Sequence, residues 1–355
     1  MSVGLINVYS THNLGDAAIL EALTGMCQGR AVNAVLPADY RPLPIAGMQP
    51  TAALASGSLR ISVGGDIFNN ARPQLITKRF LANLRELAQA PRRTMLFGQS
   101  MPSSCRGLSL KALAYVARRL ASVTVRERAS WQRLKAASVN ASLSHDAAFA
   151  LAPSELGRRL AREILARHEL GDRPFALLSV RGFDPLYPQD AARFESEMAK
   201  LGGDLARSGL EPVLLVQAAV DQADGDWPVV QRLKAMQPAF TVLDLIGPAV
   251  DGNGVARLIG LLELADVAVA VRYHTAVLRL VAGRMPFVLA YSGKGRDLVE
   301  RLALPGSDLE SFDAASSLGA ILATADRAFD PSPLARDVRD HFHDGLAAID
   351  RAGAA

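Results

Sequence analysis

The sequence predicts an α/β protein made of two lobes, each built around a parallel β-sheet. The chain has 355 residues, and at roughly 100 to 200 residues per domain this length gives about two domains. Short aliphatic or β-branched runs recur along it, and each is closed by a turn or charged residue and followed by a segment of helical period. The runs are too apolar to alternate, as expected of parallel strands that helices cover on both faces.

Eleven runs are predicted to be strands, six in the first half of the chain and five in the second. The six read VGLINVY, AVNAVL, LRISV, RTMLF, SVTV and ASLS. The five read FALLSV, PVLLVQ, FTVLDLI, DVAVAV and PFVLAY. Helical segments between them complete the alternation that is typical of open parallel sheets.

The predicted lobes are residues 1–152 and residues 173–330. Between them, residues 153–172 form a charged helix that begins at the cap candidate Ser154, and we expect it to link the lobes. Residues 331–355 are predicted to form an amphipathic helix that lies back on the first lobe.

The charge balance disfavours nucleic acid as a partner. Thirty-nine Lys and Arg against 35 Asp and Glu give a net charge of +4, and we interpret the excess as spread along the chain. A diffuse positive balance suits anionic small substrates or passing contact with an anionic membrane face.

Neither targeting segments nor metal-ligand spacings are evident in the sequence. The N-terminus MSVGLINVYS lacks the basic and apolar regions of a signal peptide, and no apolar run is long enough to span a bilayer. Cys27 and Cys105 have no CxxC spacing, which argues against a disulfide framework or zinc site. We therefore expect a cytoplasmic protein without a metal or bound cofactor.

Three predicted strands of the second half end in cationic residues. Arg181 follows LLSV, Arg272 follows VAVAV, and Lys294 with Ser292 follows VLAY. The carboxyl ends of parallel strands meet at one edge of a sheet, and an arginine there is normally paired with an anion. His274 falls in the first turn of the next helix, where backbone N–H groups attract negative charge and an imidazole can move a proton. These residues predict an anion site with a proton-transfer group.

Polar residues and glycines also follow the strands of the first half. They are Asn13, Asp16, Gly64, Gly65, Asp66, Gln99 and Arg126. The glycines permit close backbone approach, and the polar side chains could bind a ligand at the same rim. Helix capping by the carboxylates and the amide, or an ion pair among Arg126, Glu127 and Arg128, is the structural alternative.

Common nucleotide-binding and hydrolase motifs are missing from the sequence. It contains no GxxxxGK[ST], no GxGxxG after a strand, no HExxH and no GxSxG. Nucleoside triphosphatases, dinucleotide enzymes, zinc proteases and serine hydrolases therefore lose their usual support.

Seven blocks, taken in order, resemble the polysaccharide pyruvyltransferases. They are NLGDAAIL, VGGD, FGQS, VTVRERAS, SHDAAFAL, SVR and ELADVAVAVRYHTAVLRLVAGRMPFVLAYSGK. The last is the most specific, because the family has an apolar strand, Arg-x-His, a helix that ends in glycine, and a strand that leads to tyrosine and lysine. Here Tyr273 stands where leucine is common, and Asp66 replaces a customary third glycine.

The resemblance implies two Rossmann-like lobes in a fold like that of the B-type glycosyltransferases (GT-B), with the site in the cleft between them. It implies phosphoenolpyruvate as co-substrate and, as acceptor, a sugar of a cell-surface polysaccharide or its lipid-linked precursor. His274 and Arg272 would be catalytic, and Arg181, Ser292 and Lys294 would also bind phosphoenolpyruvate. The acceptor would lie against the seven residues named for the first half.

Two other functions are compatible with the same residues. A glycosyltransferase that uses a nucleotide sugar could have this fold, because fold does not determine function. A non-catalytic component of a polysaccharide assembly complex could also keep the fold without turnover.

Overall fold

The computed structural model describes residues 2–8, 10–27, 29–36, 40–69, 76–183, 190–219 and 225–354. The chain divides into two compact units. The first comprises Met1–Ser10, Ala18–Ala150 and Ser332–Ala355, and the second comprises Thr11–Ala17 and Leu151–Pro331.

The first unit contains a parallel sheet that has seven strands within the described residues. The strands are β1 (Val3–Ile6), β2 (Val32–Val35), β3 (Met48–Thr51), β4 (Leu59–Ser62), β5 (Thr94–Gln99), β6 (Ser122–Val125) and β7 (Ser142–Leu143). Their order is β3-β2-β1-β4-β5-β6-β7, and every pair is parallel. The helices of this part of the chain are α1 (Leu14–Met26), α2 (Lys78–Ala88), α3 (Leu108–Ala117) and α4 (Arg128–Ala136).

The second unit contains a parallel sheet of six strands, again counted over the described residues. The strands are β8 (Phe175–Ser179), β9 (Glu211–Val216), β10 (Thr241–Asp244), β11 (Val267–Ala270), β12 (Phe287–Ala290) and β13 (Gly306–Asp308). The helices are α5 (Glu155–Arg167), α6 (Ala191–Arg207), α7 (Trp227–Met236), α8 (Gly254–Leu264), α9 (Tyr273–Val281), α10 (Gly293–Leu302) and α11 (Ala314–Leu322). The chain ends in α12 (Ser332–Ala354).

The strand order of the second sheet indicates where a ligand would bind. In the order β10-β9-β8-β11-β12-β13, the chain runs outward from β8 in one direction and returns through β11 in the other. Open parallel sheets bind ligands beyond the carboxyl ends of the strands at such a switch point. The crevice therefore opens beyond the ends of β8 and β11.

The predicted α/β fold of parallel sheets is confirmed, and each of the eleven predicted runs contains a strand. Tyr9, the last residue of the first run, lies outside the described residues. Strands β3 and β13 were not predicted. Both occupy sheet edges, and their sequences, MQPT and GSD, are exposed or half-exposed apart from Met48. An edge strand needs no continuous apolar run, so hydrophobicity alone does not reveal it.

The helix predicted within residues 153–172 is α5, and it belongs to the second unit. Ser154 caps it, since the side-chain hydroxyl accepts a hydrogen bond from Gly157 N at 3.0 Å. The helix packs closely on α8, where a Cβ at Gly260 would lie 2.5 Å from the carbonyl carbon of Gly157. The Arg158 guanidinium pairs with Glu263 of α8 at 2.9 Å. Glycine at the helix crossing lets the two backbones touch.

We expect Gly260→Ala to destabilise the protein by about 1 to 3 kcal/mol, because the added methyl group would overlap the α5 backbone. The direction of the change in the free energy of unfolding is informative, because replacing glycine by alanine inside a helix otherwise stabilises a protein by about 1 kcal/mol. Gly319→Ala in α11 is the matched control, because its Cβ would meet no atom within 4 Å. Urea unfolding of both variants measures the difference, and equal effects would contradict the close crossing.

The final helix α12 packs on β5 and β6 of the first unit. The ring of Phe342 meets that of Phe97 edge to face, with centroids 5.3 Å apart. Asp337 accepts a hydrogen bond from the Ser144 hydroxyl at 2.6 Å. Among the helices of the described residues, none combines the length and apolar character needed to cross a bilayer.

Candidate active site

Arg272 lies at the centre of the candidate site in the second unit. It occupies the N-cap position of α9, two residues after the end of β11, and it is buried. Its Nε donates to the Val180 carbonyl at 3.1 Å and to Asp226 Oδ1 at 2.8 Å, and its Nη2 lies 2.6 Å from the same oxygen. The Ser179 hydroxyl accepts hydrogen bonds from the backbone N–H groups of Val271 and Arg272. Residues at the ends of β8 and β11 thus fix the position of the guanidinium.

Asp226 was not predicted as a site residue. It is fully buried, and its second oxygen accepts the backbone N–H groups of Gln217 at 2.8 Å and Ala218 at 2.9 Å. Burial raises the pKa of the Asp226 carboxyl, although Arg272 and the two N–H groups favour the charged form. In the sequence this residue precedes Trp-Pro at the start of α7 and resembles an ordinary helix cap. The signal that could have revealed it is the need of a buried arginine for a carboxylate.

Arg181 lies beyond the end of β8 and is held by the aromatic residue that follows β12, Tyr291. Its Nη1 donates to the Tyr291 hydroxyl, and its Nε donates to the Gly182 carbonyl at 2.9 Å. The guanidinium carbon lies 4.5 Å from the centroid of the Tyr291 ring, within the range of a cation–π contact. Tyr291 was likewise not predicted as a site residue.

Ser292 and Lys294 lie where predicted, at the start of α10 after β12. Ser292 is the N-cap residue, and the Lys294 ammonium lies 5.7 Å from the centroid of the Tyr273 ring. A small cavity of about 10 Å³ between α9 and α10 is lined in part by Tyr273, Tyr291 and Ser292. The two helices therefore begin side by side, with cationic residues in or just before their first turns.

His274 is the second residue of α9, and it is half-buried against the segment Thr11–Ala17, which belongs to the same unit. A Cβ at Gly15 would lie 2.6 Å from the His274 Cβ, so glycine is needed for this approach. The segment is attached by an antiparallel bridge between Asn13 and Ala218, and Leu14 N donates to the Gln217 carbonyl at 2.9 Å.

Asn13 and Asp16 therefore lie in the second unit with His274, whereas the predicted boundaries assign them to the first lobe. The Asn13 side-chain oxygen accepts the backbone N–H of Gly15 at 3.0 Å. The backbone pairing of Asn13 with Ala218 is the physical reason, because it joins this segment to the residues that follow β9.

The other predicted acceptor residues lie in the first unit, at the ends of β4, β5 and β6. Gly64 allows two backbones to approach, since its Cβ would lie 2.5 Å from the Gly98 carbonyl oxygen. Gly65 has a φ of 115°, which favours glycine, and it pairs with Gln99. Gln99 is buried and its amide donates to the Gly65 carbonyl, and Asp66 is half-buried beside them.

Arg126 is part of a buried network of polar side chains. It pairs with Asp146 at 2.5 Å, each side chain is 1% exposed, and its Nε donates to the Ser100 hydroxyl at 2.8 Å. Glu127 in turn accepts from Ser100 at 3.2 Å. The carboxylate of Asp146 that holds Arg126 is buried and lies after β7. The network fixes the edge of the sheet.

No cluster of three or more His, Cys, Asp or Glu side chains suited to a metal ion occurs in the described parts of the chain. The second unit instead brings together Arg181, Arg272 and Lys294 beyond three neighbouring strands, β8, β11 and β12. His274 and the N-termini of α9 and α10 share that edge.

Comparison with solved structures shows the fold. UDP-GlcNAc 2-epimerase from Methanocaldococcus jannaschii is similar with a TM-score of 0.60 at 8% identity, over 97% of this chain and 99% of that one. Trehalose-6-phosphate synthase OtsA is similar with a TM-score of 0.54 at 10% identity, over 99% and 96%. WaaG, a glycosyltransferase involved in lipopolysaccharide biosynthesis, has a TM-score of 0.49 at 12% identity, over 98% and 95%. The first two likenesses confirm the predicted GT-B-like fold of two Rossmann-like units.

Comparison at the level of sequence shows the family. No curated protein sequence matches the chain significantly. The family model described as polysaccharide pyruvyl transferase matches residues 13–293, a range that begins at Asn13 and includes Arg181, Arg272 and His274. Because this match covers most of the 355 residues, the chain belongs to the polysaccharide pyruvyl transferase family.

Proposed function

We propose that the protein transfers a pyruvyl group from phosphoenolpyruvate to a sugar of a cell-surface polysaccharide or of its lipid-linked precursor. The product is a cyclic ketal, and inorganic phosphate is released. The observation that carries the proposal is the placement of Arg181, Arg272 and Lys294 beyond adjacent strands of one sheet, next to His274. Membership of a transferase family that modifies polysaccharides supports the acceptor class.

Phosphoenolpyruvate carries a phosphate and a carboxylate on a three-carbon unit, so its site needs several rigid cationic donors. The proposed site contains the cationic side chains of Arg181, Arg272 and Lys294, and Arg272 pairs with the buried carboxylate of Asp226. Asp226 holds the Nε side of Arg272, and Tyr291 holds Arg181. Both guanidinium groups are therefore oriented without a bound ligand. The N-termini of α9 and α10 add backbone N–H groups, and Ser292 adds a hydroxyl.

The proposed reaction has two steps. In the first, one sugar hydroxyl adds to C2 of phosphoenolpyruvate and loses its proton, while the methylene C3 gains a proton and becomes a methyl group. In the second, the C2–O bond to phosphate breaks, the second hydroxyl adds to C2, and its proton leaves with the phosphate or with a base. We assign proton transfer to His274 and stabilisation of the departing phosphate to the cations, Arg272 above all.

The proposed acceptor residues remain Asn13, Asp16, Gly64, Gly65, Asp66, Gln99 and Arg126. Gln99 and Arg126 are buried and engaged in internal hydrogen bonds. Their proposed part in the acceptor site is therefore to hold the edge of the sheet in place. Asn13 and Asp16 are supported by their position in the segment that contacts His274. No cofactor is required by this scheme, since phosphoenolpyruvate itself supplies the pyruvyl group.

Thermal denaturation with candidate donors tests the proposed co-substrate. At about 100 times its dissociation constant, a ligand of the folded state adds about 2.7 kcal/mol to the free energy of unfolding. We expect phosphoenolpyruvate to raise the melting temperature, and nucleotide sugars to leave it unchanged. A shift with a nucleotide sugar alone would favour glycosyl transfer and contradict the proposal.

We expect Gly15→Ala to lower the rate of phosphate release while leaving the fold intact. The new methyl group would overlap His274 and displace the imidazole, and small displacements of a reacting group can cost about 100-fold in rate. Gly25→Ala in the same helix is the control, because its Cβ would meet no atom within 4 Å. Equal rates in the two variants would show that the contact with His274 does not matter.

A further inference from the structure

Helices α2 and α3 form one outward surface of the first unit. The connections β4–α2–β5 and β5–α3–β6 run in one direction along the sheet, so right-handed crossovers place both helices on the same side of it. The two helices also contact each other. We call this surface the α2–α3 face, defined by Lys78, Leu81, Leu108, Lys111, Tyr115 and Arg119.

Apolar side chains on this face are open to solvent. Leu108 is 57% exposed, Tyr115 is 60% exposed and Leu81 is 39% exposed. On α3, the spacing of Leu108, Lys111 and Tyr115 puts them on one side of the helix, opposite the buried core positions, and Arg119 follows in the turn after the helix. The Arg119 guanidinium carbon lies 3.6 Å from the centroid of the Tyr115 ring. The helix thus presents alternating apolar and cationic groups to the outside.

The positive charge of the protein is concentrated in the stretch of sequence that contains α2 and α3. Residues 76–140 contain 13 Lys and Arg but only two Asp and Glu, whereas the rest of the chain contains 26 and 33. Both acids are engaged, since Glu86 pairs with Arg60 at 2.8 Å and Glu127 is buried. The expectation that the positive excess is spread along the chain is therefore wrong, because the small overall balance hides an opposite charge in the remaining residues.

We propose that the α2–α3 face binds the surface of an anionic lipid bilayer. Lys and Arg near such a surface are attracted by its negative potential, and exposed leucine and tyrosine side chains can enter the boundary between headgroups and acyl chains. The proposal does not depend on the proposed reaction.

Two other occupants fit the face less well. Nucleic acid would be attracted by the cations, but phosphates provide no partner for the exposed Leu81 and Leu108. A second copy of the chain would bring like charges together, which is unfavourable. An anionic bilayer provides a partner for both the cationic and the apolar side chains of the face.

Flotation of the full chain with lipid vesicles tests the cationic part of the proposal. We expect binding to vesicles of phosphatidylglycerol and phosphatidylcholine, weaker binding at higher salt, and little binding to phosphatidylcholine alone. Lys78→Glu with Lys111→Glu should reduce the partition coefficient by about 30-fold or more, since each lost cation costs about 1 kcal/mol, or roughly fivefold, and each new carboxylate is repelled as well. Arg162→Glu with Arg167→Glu makes the same charge change on exposed residues of α5, which belongs to the second unit, and should have a much smaller effect.

A second pair of variants tests the apolar part. Leu81→Ser with Leu108→Ser should reduce binding by about tenfold or more. Leu156→Ser with Met236→Ser is the matched control, because these side chains are 40% and 50% exposed in the second unit. Melting temperatures confirm that the variants are folded, and the salt dependence of the unaltered protein is a readout that needs no variant. Absence of vesicle binding, equal losses in face and control variants, or binding to a single-stranded oligonucleotide but not to vesicles would overturn the proposal.

Discussion

His274→Ala is expected to slow phosphate release from phosphoenolpyruvate by about 10² to 10⁴, the usual contribution of one general acid or base. His274 lies in the first turn of α9, two residues after Arg272. In the proposed reaction it transfers a proton to or from the ligand that the neighbouring cations hold. The measurement is phosphate release in the presence of a competent acceptor. Because His274 is half-buried at a helix start, the melting temperature should change little.

His168→Ala is the matched control, because this histidine is exposed at the end of α5 and lies in the same unit. It should keep the full rate. If His274→Ala also retained full activity, proton transfer would have to be assigned to another group. The thermal shift by phosphoenolpyruvate distinguishes lost binding from lost chemistry, since only the latter leaves the shift intact.

Asp226→Asn is expected to cost about 3 to 5 kcal/mol of stability, the usual effect of leaving a buried charge without its partner. One carboxylate oxygen accepts from Arg272 and the other from two backbone N–H groups, so an amide must oppose a donor with a donor whichever way it turns. We also expect weaker phosphoenolpyruvate binding, because Arg272 loses the group that orients it. Urea unfolding measures the stability and thermal shift measures the binding.

The double variant Asp226→Asn with Arg272→Met separates the two effects. Removing the uncompensated guanidinium should restore part of the stability, whereas phosphoenolpyruvate binding should remain lost. Additive losses of stability in the double variant would contradict the ion pair seen in the structure. Arg272→Lys should also fail to bind normally, because an ammonium cannot reproduce the fork.

The strands could be predicted from the sequence because a buried parallel strand must be apolar on both faces. All eleven apolar runs contain strands. The polar strands β3 and β13 were missed because each lies at the edge of its sheet, with a neighbouring strand on one side only, and so needs no continuous apolar run. The caps were equally local, as the hydrogen bond between Ser154 and Gly157 shows. Such features depend on neighbours in the chain, which a sequence displays.

The site was only partly predictable. Arg181, Arg272 and Lys294 were found because residues that follow parallel strands share an edge. Asp226 and Tyr291 were missed because their importance depends on which side chain they meet, and Asp226 is 46 residues from Arg272 in the chain. The position of Asn13 beside the residues after β9 was equally hidden, since a backbone bridge across 205 residues leaves no local trace.

The sequence by itself determined that the chain forms two parallel α/β sheets and that cationic residues end three strands of the second. The hydrophobic period of a segment and the residues at the end of a strand are properties of short stretches, so they can be read from the order of the amino acids. Only the tertiary structure decided that Asp226 holds Arg272, that Gly15 touches His274, and that the cations of α2 and α3 share one exposed surface with leucine and tyrosine. Pairing and exposure depend on what surrounds a side chain in space, and those surroundings are assembled from distant parts of the chain.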